Sequence, residues 1–235
     1  SDKIMQYVWA GYRIAEPFSI FRSVNISMNQ WRGWDFGWRN IFDGGNMNIG
    51  AQFKNHWHAG AGISRSGEGL SPSALRGGPS LKFPGGWGHW NNVHTDNRKK
   101  IRLAAGTHFN RQDDDCSFHQ SYWFDVRFRP SNAIVIAVNP AYNLRNDKLQ
   151  YVETIEFNGQ NRYVFAGIDQ TTLNMTIRID YSITPELTVQ YYGQPFISNG
   201  NYSHYKRITN PRADQFSNRY HLYSEDEIVY DADNE

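Results

Sequence analysis

LNMTIRIDYSITPELTVQYYGQPF, residues 173–196, alternates apolar and polar side chains on both sides of Thr184-Pro185-Glu186. If those three residues turn the chain, Ile183 faces Leu187, Tyr181 faces Val189 and Ile179 faces Tyr191. Asn174, Thr176, Arg178, Asp180, Thr188, Gln190 and Gln194 then share the opposite face. Successive side chains leave a strand on opposite sides, so this is the pattern of an antiparallel hairpin with one apolar and one polar face. A one-residue slip would exchange the two faces, which makes the register specific.

The same construction recurs outward from this stretch. A turn at Lys54-Asn55-His56 sets Phe53 against Trp57, Ala51 against Ala59, Ile49 against Ala61 and Met47 against Ile63. A turn through residues 129–133 pairs Phe128 with Ile134, Val126 with Ile136 and Phe124 with Val138. Near the start, a turn at Ala15-Glu16-Pro17 places Ile14 opposite Phe18, Tyr12 opposite Ile20 and Val8 opposite Val24. Four hairpins thus obey one rule, and each presents a continuous apolar face.

Much longer connections separate them, at 29–46, 66–80, 143–172 and after Phe196. Alternation also describes a soluble lipocalin-like barrel or a sandwich, so it does not by itself say which face is wet. The asymmetry of the ends favours an outer-membrane barrel, which combines tight turns at one end, long loops at the other and aromatic rings at both interfaces. Aromatic residues make up 15% of the chain, yet its mean hydropathy is −0.69. Tyr12, Phe18, Phe53, Trp57, Phe128 and Tyr181 lie near the short turns, and Trp31, Trp34, Trp38 and Tyr192 toward the long connections.

No run approaches the roughly 18 apolar residues of a membrane helix, and no charged, apolar, small-residue leader opens the sequence. Lys and Arg number 24 against 23 Asp and Glu, so charge gives no reason to expect nucleic acid as a partner. The single Cys116 forms neither an internal disulfide nor a thiolate metal site. Residues 1–235 show no composition shift that would divide them, and are read as one domain.

Strand direction adds a constraint. Strand 57–65 runs outward and the strand ending at Phe128 runs inward, so two strands must lie between them. Residues 100–109 supply one and the Gly- and Trp-rich stretch 81–94 the other. About ten strands result: 4–14, 18–28, 46–53, 57–65, 81–94, 100–109, 118–128, 134–142, 173–183 and 187–196. Residues 143–172 are expected as a long external loop holding a small hairpin, 148–157 and 162–168, around Asn158-Gly159. Both ends of the chain fall on the long-loop side. The fold expected is therefore an all-β, antiparallel, up-and-down transmembrane β-barrel of which these strands are an internal part. Strands before Ser1 and after Glu235, or another chain, would close it, because an open edge in lipid is prohibitive.

LRGGPSLKFPG at 75–85, TDNRKK at 95–100, RPS at 129–131, QYV at 150–152, RYVFAGIDQTT at 162–172 and RIDYSITPELTVQYYGQPFISNGNYSHYKRI at 178–208 resemble a Bacteroidota family of outer-membrane barrels of uncharacterised function. The block 162–208 is the specific part. Members usually carry an N-terminal carbohydrate-binding module resembling family 9, which this chain lacks. It lacks as well the aromatic-rich strand pair that usually ends the barrel. The resemblance implies an outer-membrane location and a link to glycans, and it supplies no catalytic residues.

Candidate chemistry is sparse. Asp113-Asp114-Asp115 with His119 offers oxygen and imidazole ligands for a cation, although a solvated acidic loop is the simpler account. His56 and His58 have no evident third metal ligand. No nucleophile elbow appears, SRSGEG and RGGPS lack the lysine of a phosphate loop, and no pattern requires a cofactor. SNGNYSHY at 198–205 would suit a sugar face or ordinary loop packing. The informative charges are those that parity sends to the polar face: Arg13, Asp125, Arg127, Arg178 and Asp180. They avoid lipid there, and would either plug the barrel interior by hydrogen bonding or line a polar lumen. Arg22 falls on the apolar face, where a bulge or snorkelling toward the turn would accommodate it.

Three functional readings follow. The chain is an outer-membrane barrel acting as anchor, receptor or conduit, with lipid, closing strands and glycan as partners. Alternatively it is a barrel-associated hydrolase acting on glycans or lipids, or a soluble β-barrel binding protein.

Overall fold

Alternating strand formers and small polar residues build fourteen strands in the computed structural model, which describes residues 3–228. They are β1 (Lys3–Ile14), β2 (Phe21–Asp35), β3 (Asn40–Phe53), β4 (His58–Ser66), β5 (Gly69–Ser71), β6 (Leu81–Phe83), β7 (Gly86–His94), β8 (Ile101–Gln112), β9 (Ser117–Ser131), β10 (Ile134–Phe157), β11 (Gln160–Thr184), β12 (Leu187–Gly193), β13 (Phe196–Ile208) and β14 (Tyr220–Leu222). Only short 3-10 turns accompany them among the described residues.

The main sheet runs β1-β2-β3-β4-β7-β8-β9-β10-β11-β13-β14 with every pairing antiparallel, and β12 pairs β11. β12 and β13 together form one long strand against β11, interrupted at Gln194-Pro195, where proline has no N–H for the ladder. β5 and β6 form a separate two-stranded sheet. The strand order does not return to β1, which pairs only β2, so the described residues form an open sheet and not a closed barrel. Strands expected before Ser1 and after Glu235 lie outside the described residues, as does the 229–235 part of the segment after Phe196.

β7 sits between β4 and β8, so the two strands required by direction are present. The expected turn at 54–56 and its register are observed, with Ala51 opposite Ala59 and Met47 opposite Ile63. Tyr181 faces Val189 and Ile179 faces Tyr191 as expected, but at the turn a bulge brings Thr184, and not Ile183, opposite Leu187. Two further registers are corrected. Phe128 faces Ile136 instead of Ile134, because the chain turns tightly with Ile134 opposite Ser131 and a bulge follows between Ile134 and Ile136. Ile14 faces Val24 instead of Phe18, because residues 15–20 make a wider turn closed by a Phe18–Phe21 bridge. Both slips are by an even number of residues, which preserves the faces.

The larger correction concerns the long connections. Residues 29–46 are mostly strand, with a turn at 36–39, and residues 143–172 are the unbroken outer halves of β10 and β11. The hairpin expected around Asn158-Gly159 is present within them, with Tyr151 opposite Phe165 and Thr154 opposite Tyr163, and both turn residues are left-handed at φ 52° and 72°. Phe196 likewise begins β13 instead of a loop. Tyr192 faces Arg178 in the turn-side half of the sheet, not the long-loop end. Apolar periodicity stops before the strands do: beyond about residue 30 or 142 apolar residues such as Trp31, Trp34, Leu144 and Leu149 no longer keep to one parity, and the hydrogen-bond ladder continues the strand. Arg22 is settled by a bulge: Phe21 faces Phe53 but Ser23 faces Gln52, and the Arg22 guanidinium lies 3.2 Å from His56 Nδ1 at the turn.

Apolar side chains meet across successive strands on one face. Met28 faces Met47 and Met47 faces Ile63, and these three are 52%, 50% and 50% exposed. Lower down, Ile101, Phe128, Ile136, Ile179 and Tyr191 make a second cross-strand row. On β9 this belt runs from Tyr122 to Phe128, roughly 20 Å at about 3.4 Å per residue. Among the described residues a conventional core lies beyond the belt, on the side away from the short turns. There Leu75, Leu81, Cys116, Leu149, Phe165, Ile208 and Phe216 pack together from segments around β6, β10, β11 and β13. This small cap is held by Arg219, wholly buried, which donates to the carbonyls of Ala213 (2.8 Å), Lys82 (3.1 Å) and Asp214 (2.9 Å) and to Glu68 (3.2 Å).

Candidate functional site

The face opposite the apolar belt is polar along its whole width. One cross-strand row reads Arg13, Asn25, Gly50, Gly60, Asn92, Gly106, Trp123, Ala141 and Asn174 from β1 to β11. Glycine recurs in it for steric reasons. A Cβ on Gly106 would lie 2.5 Å from the Trp123 ring, and one on Gly50 2.7 Å from Asn25 Oδ1. Gly62, in a neighbouring row, lies under Trp90, whose indole N–H donates to Asn48 Oδ1 at 3.2 Å. Large polar side chains therefore lie flat across the sheet where glycine gives them room.

All five charges assigned to this face by parity lie on it by register: Arg13 beside Asn25, Asp125 beside Asn139, Arg127 beside Arg102 and Ala137, Arg178 beside Ala137, and Asp180 beside Gln190. They do not form one cluster. Arg178 Nε donates to Asp180 at 3.0 Å, which makes a self-contained pair. Asp125 accepts from the Asn139 amide and stands 3.7 Å from the Arg102 guanidinium. Arg13 stands apart on β1.

Several partners escaped the sequence reading. Arg102 bridges Asp125 and His94, with Arg102 Nη2 3.2 Å from His94 Nδ1. His58 and His94 are direct cross-strand neighbours. The signal was available for Arg102, because it alternates with Ile101 and Leu103, the apolar-face residues of its strand. Asp125 Oδ1 and Arg127 Nε are buried and have no hydrogen-bond partner among the described residues. Unpartnered buried polar atoms are uncommon, and here they border the open polar face.

Near the short-turn end this face holds a recess of about 580 Å³ lined from β1 across to β8. Five inter-strand steps on a flat sheet span roughly 24 Å at about 4.8 Å per step, so residues of β1 and β8 share one recess only if the polar face is concave. A turn carrying Asp96 borders it. Asp96 accepts from the Arg98 backbone N–H (3.0 Å) and guanidinium (2.8 and 2.9 Å), and these bonds hold its carboxyl well below the usual carboxylate range.

The remaining candidates do not assemble a reactive centre. Asp113 is paired to Arg65 through two hydrogen bonds (2.8 and 2.6 Å) and Asp115 to Arg111 at 2.5 Å. His119 lies 5.9 Å from His108, ring to ring, instead of joining the aspartates. No group of three or more His, Cys, Asp or Glu suited to a metal occurs among the described residues. Ser203 Oγ and His204 Nδ1 are 2.9 Å apart, but the two are adjacent in sequence and no carboxylate bonds the far side of His204 among the described residues. Burial, chiefly, pushes the Cys116 thiol up to about 12, so it is an inert core residue. Burial also depresses Lys206, whose ammonium donates to the Lys148 carbonyl at 2.9 Å and sits over the Tyr220 ring.

Comparison with curated proteins and with solved structures finds no match. A family model described as a domain of unknown function, DUF5916, matches residues 1–230. With nearly its whole length covered, the chain belongs to the DUF5916 family of domains of unknown function.

Proposed function

We propose that this chain is part of the wall of an outer-membrane β-barrel, acting as anchor, receptor or conduit. Its apolar face lies against lipid, its polar face lines the interior and its cap covers the mouth on the side of the outer strand halves. The observation that carries this reading is the exposed belt. Apolar side chains aligned in register from β1 to β12 have no layer over them among the described residues, while Arg13, Arg102, Asp125 and Arg127 occupy the opposite face. A soluble sheet would bury the first set and hydrate the second. Roughly 20 Å along β9 corresponds to a height of roughly 15 Å at the roughly 40° strand tilt of such barrels, within their roughly 25 Å apolar band.

In lipid, the free edges of β1 and β12 require hydrogen-bond partners, so further strands or another chain complete the cylinder. The sequence resemblance to Bacteroidota outer-membrane barrels supports the same location, and through their carbohydrate-binding module it points to glycan as the captured solute.

The test is extraction of the full-length protein from membranes, followed by electrophoresis with and without heating. A species that requires detergent and changes mobility on heating is the expected result. A stable, detergent-free, water-soluble monomer would overturn the proposal, and the belt would then have to be the interior of a soluble fold.

A further inference from the structure

The recess at the short-turn end has an unusual lining. Two arginines, Arg13 and Arg102, and two histidines, His58 and His94, enter it with Asn92, Trp90 and other neutral polar groups, and no carboxylate lines it. The whole chain is nearly balanced, with 24 basic against 23 acidic residues, so this segregation is local. Two acids lie close by: Asp125, whose Oδ2 accepts from the Asn139 amide and whose Oδ1 stands 3.7 Å from Arg102, and Asp96 in the bordering turn, whose carboxylate is bonded by Arg98. Arg13 makes no ion pair among the described residues.

The floor is shaped to leave space. Gly50 and Gly60 carry no side chain under Asn25, Asn92 and Trp90; a Cβ on Gly60 would stand 3.1 Å from the Trp90 ring. Arginine presents several N–H donors in a fixed fork, which matches the oxygens of carboxylate and phosphate. On a concave, partly desolvated wall such charges act at lower effective dielectric than in bulk water, and rings of Arg or Lys select anions in pores.

Building on the barrel reading above, we propose that the recess formed by Arg13, His58, Trp90, Asn92, His94 and Arg102 is a binding site for a small oxyanion, the carboxylate or phosphate group of a solute held at the short-turn end. Arg13 and Arg102 supply the charge from opposite sides, His58 and His94 supply ring nitrogens, and Asn92 supplies an amide. The solute's neutral part would rest against the Trp90 face.

Anion access to Trp90 tests the site without needing an open pore. In the detergent-extracted full-length protein, quenching of Trp90 is obtained as the difference between the natural sequence and Trp90→Phe, with iodide as the anionic quencher and caesium as the cationic one. Iodide should quench Trp90 at least three-fold more strongly than caesium at equal ionic strength. Inorganic phosphate and acetate, added separately, should each protect, and the stronger protector identifies the preferred oxyanion. Arg13→Gln with Arg102→Gln should abolish the iodide excess while leaving heat-dependent mobility intact. Equal quenching by the two ions, or an iodide excess that survives the double substitution, would overturn the proposal. If the protein proves water-soluble, the barrel reading falls, yet the quenching ratio still decides whether the recess binds anions.

Discussion

The belt and the cap share β10 and β11 and follow opposite rules. In the belt Met28, Met47 and Ile63 are half exposed while Asp125, a charged residue on the other face, is 9% exposed. In the cap Leu75, Leu81 and Phe165 are sealed away, its two buried cations, Arg219 and Lys206, are bonded to backbone carbonyls, and the neighbouring pairs Arg65–Asp113 and Arg111–Asp115 are largely exposed. The cap turns its apolar side chains inward, as a protein in water does; the belt turns them outward. Because β10 and β11 run through both, the reversal happens along single strands, and in the proposed barrel the turnover point would mark the lipid boundary.

The largest effect should come from breaking the cap. Arg219→Ala leaves the carbonyls of Lys82, Ala213 and Asp214 and the Glu68 carboxylate without their buried donor. Removing one partner of such a buried charged network costs about 3–5 kcal/mol. Rapid proteolytic cleavage and loss of amide protection between residues 209 and 222 are expected, with no change in heat-dependent mobility of the belt. Simultaneous loss of both would mean that cap and belt fold as one unit.

The next effect separates the two faces of the belt within a single strand. Met28→Arg puts a cation on the apolar face and should cost about 2–4 kcal/mol in a bilayer if it lies near mid-membrane. Ser27→Arg, one residue away, enters the polar face and should cost under about 0.5 kcal/mol. Unfolding by denaturant in lipid vesicles measures both. Equal tolerance of the two substitutions would remove the difference between belt and cap, since an exposed Met28 in water is replaceable at little cost.

A smaller effect tests how tightly the polar face is packed. A Cβ on Gly62 would lie 2.3 Å from Trp90 Nε1 and 2.4 Å from Asn48 Oδ1, so Gly62→Ala must displace the indole and break its bond to Asn48. A loss of about 1–3 kcal/mol is expected, as for overpacking elsewhere. It should be accompanied by a red shift of tryptophan emission as the ring lifts into solvent.

These regions were unequally legible in the sequence. Belt residues announce themselves, because period-two alternation at 47–63 or 173–191 specifies both face and register. Errors in register at Ile14 and Phe128 came from turn width, which side-chain alternation does not encode. They did no harm to the faces, since both slips were even. The outer strand halves were missed because Asn143, Arg145 and Asp147 alternate with Leu144 and Asn146 without a clear apolar face; their order comes from pairing across β9, β10 and β11. The recess was half legible. Arg13 followed from parity, whereas His58 and His94 become neighbours only once β4 and β7 pair across the intervening residues 67–85.

The smallest predicted effect concerns charge at the junction of the two regions. Asp113 is bonded by Arg65 through both guanidinium nitrogens, and this, opposed by some desolvation, lowers its pKa below the ordinary carboxylate value. A carboxylate whose folded pKa is depressed stabilises the fold above its unfolded pKa of about 3.9, and that contribution fades as pH falls through the folded value. Both side chains are more than a third exposed, at 40% and 38%, so screening limits the pair to under about 1 kcal/mol. Cap protection measured by amide exchange should therefore be constant from pH 7 to 5 as far as this pair is concerned, and decline slightly below pH 4. Asp113→Asn should flatten that decline and cost under about 1 kcal/mol at pH 7. A decline of unchanged depth in Asp113→Asn would assign the acid sensitivity to other carboxylates, with Glu68, which bonds both Arg219 and Lys82, the first to examine.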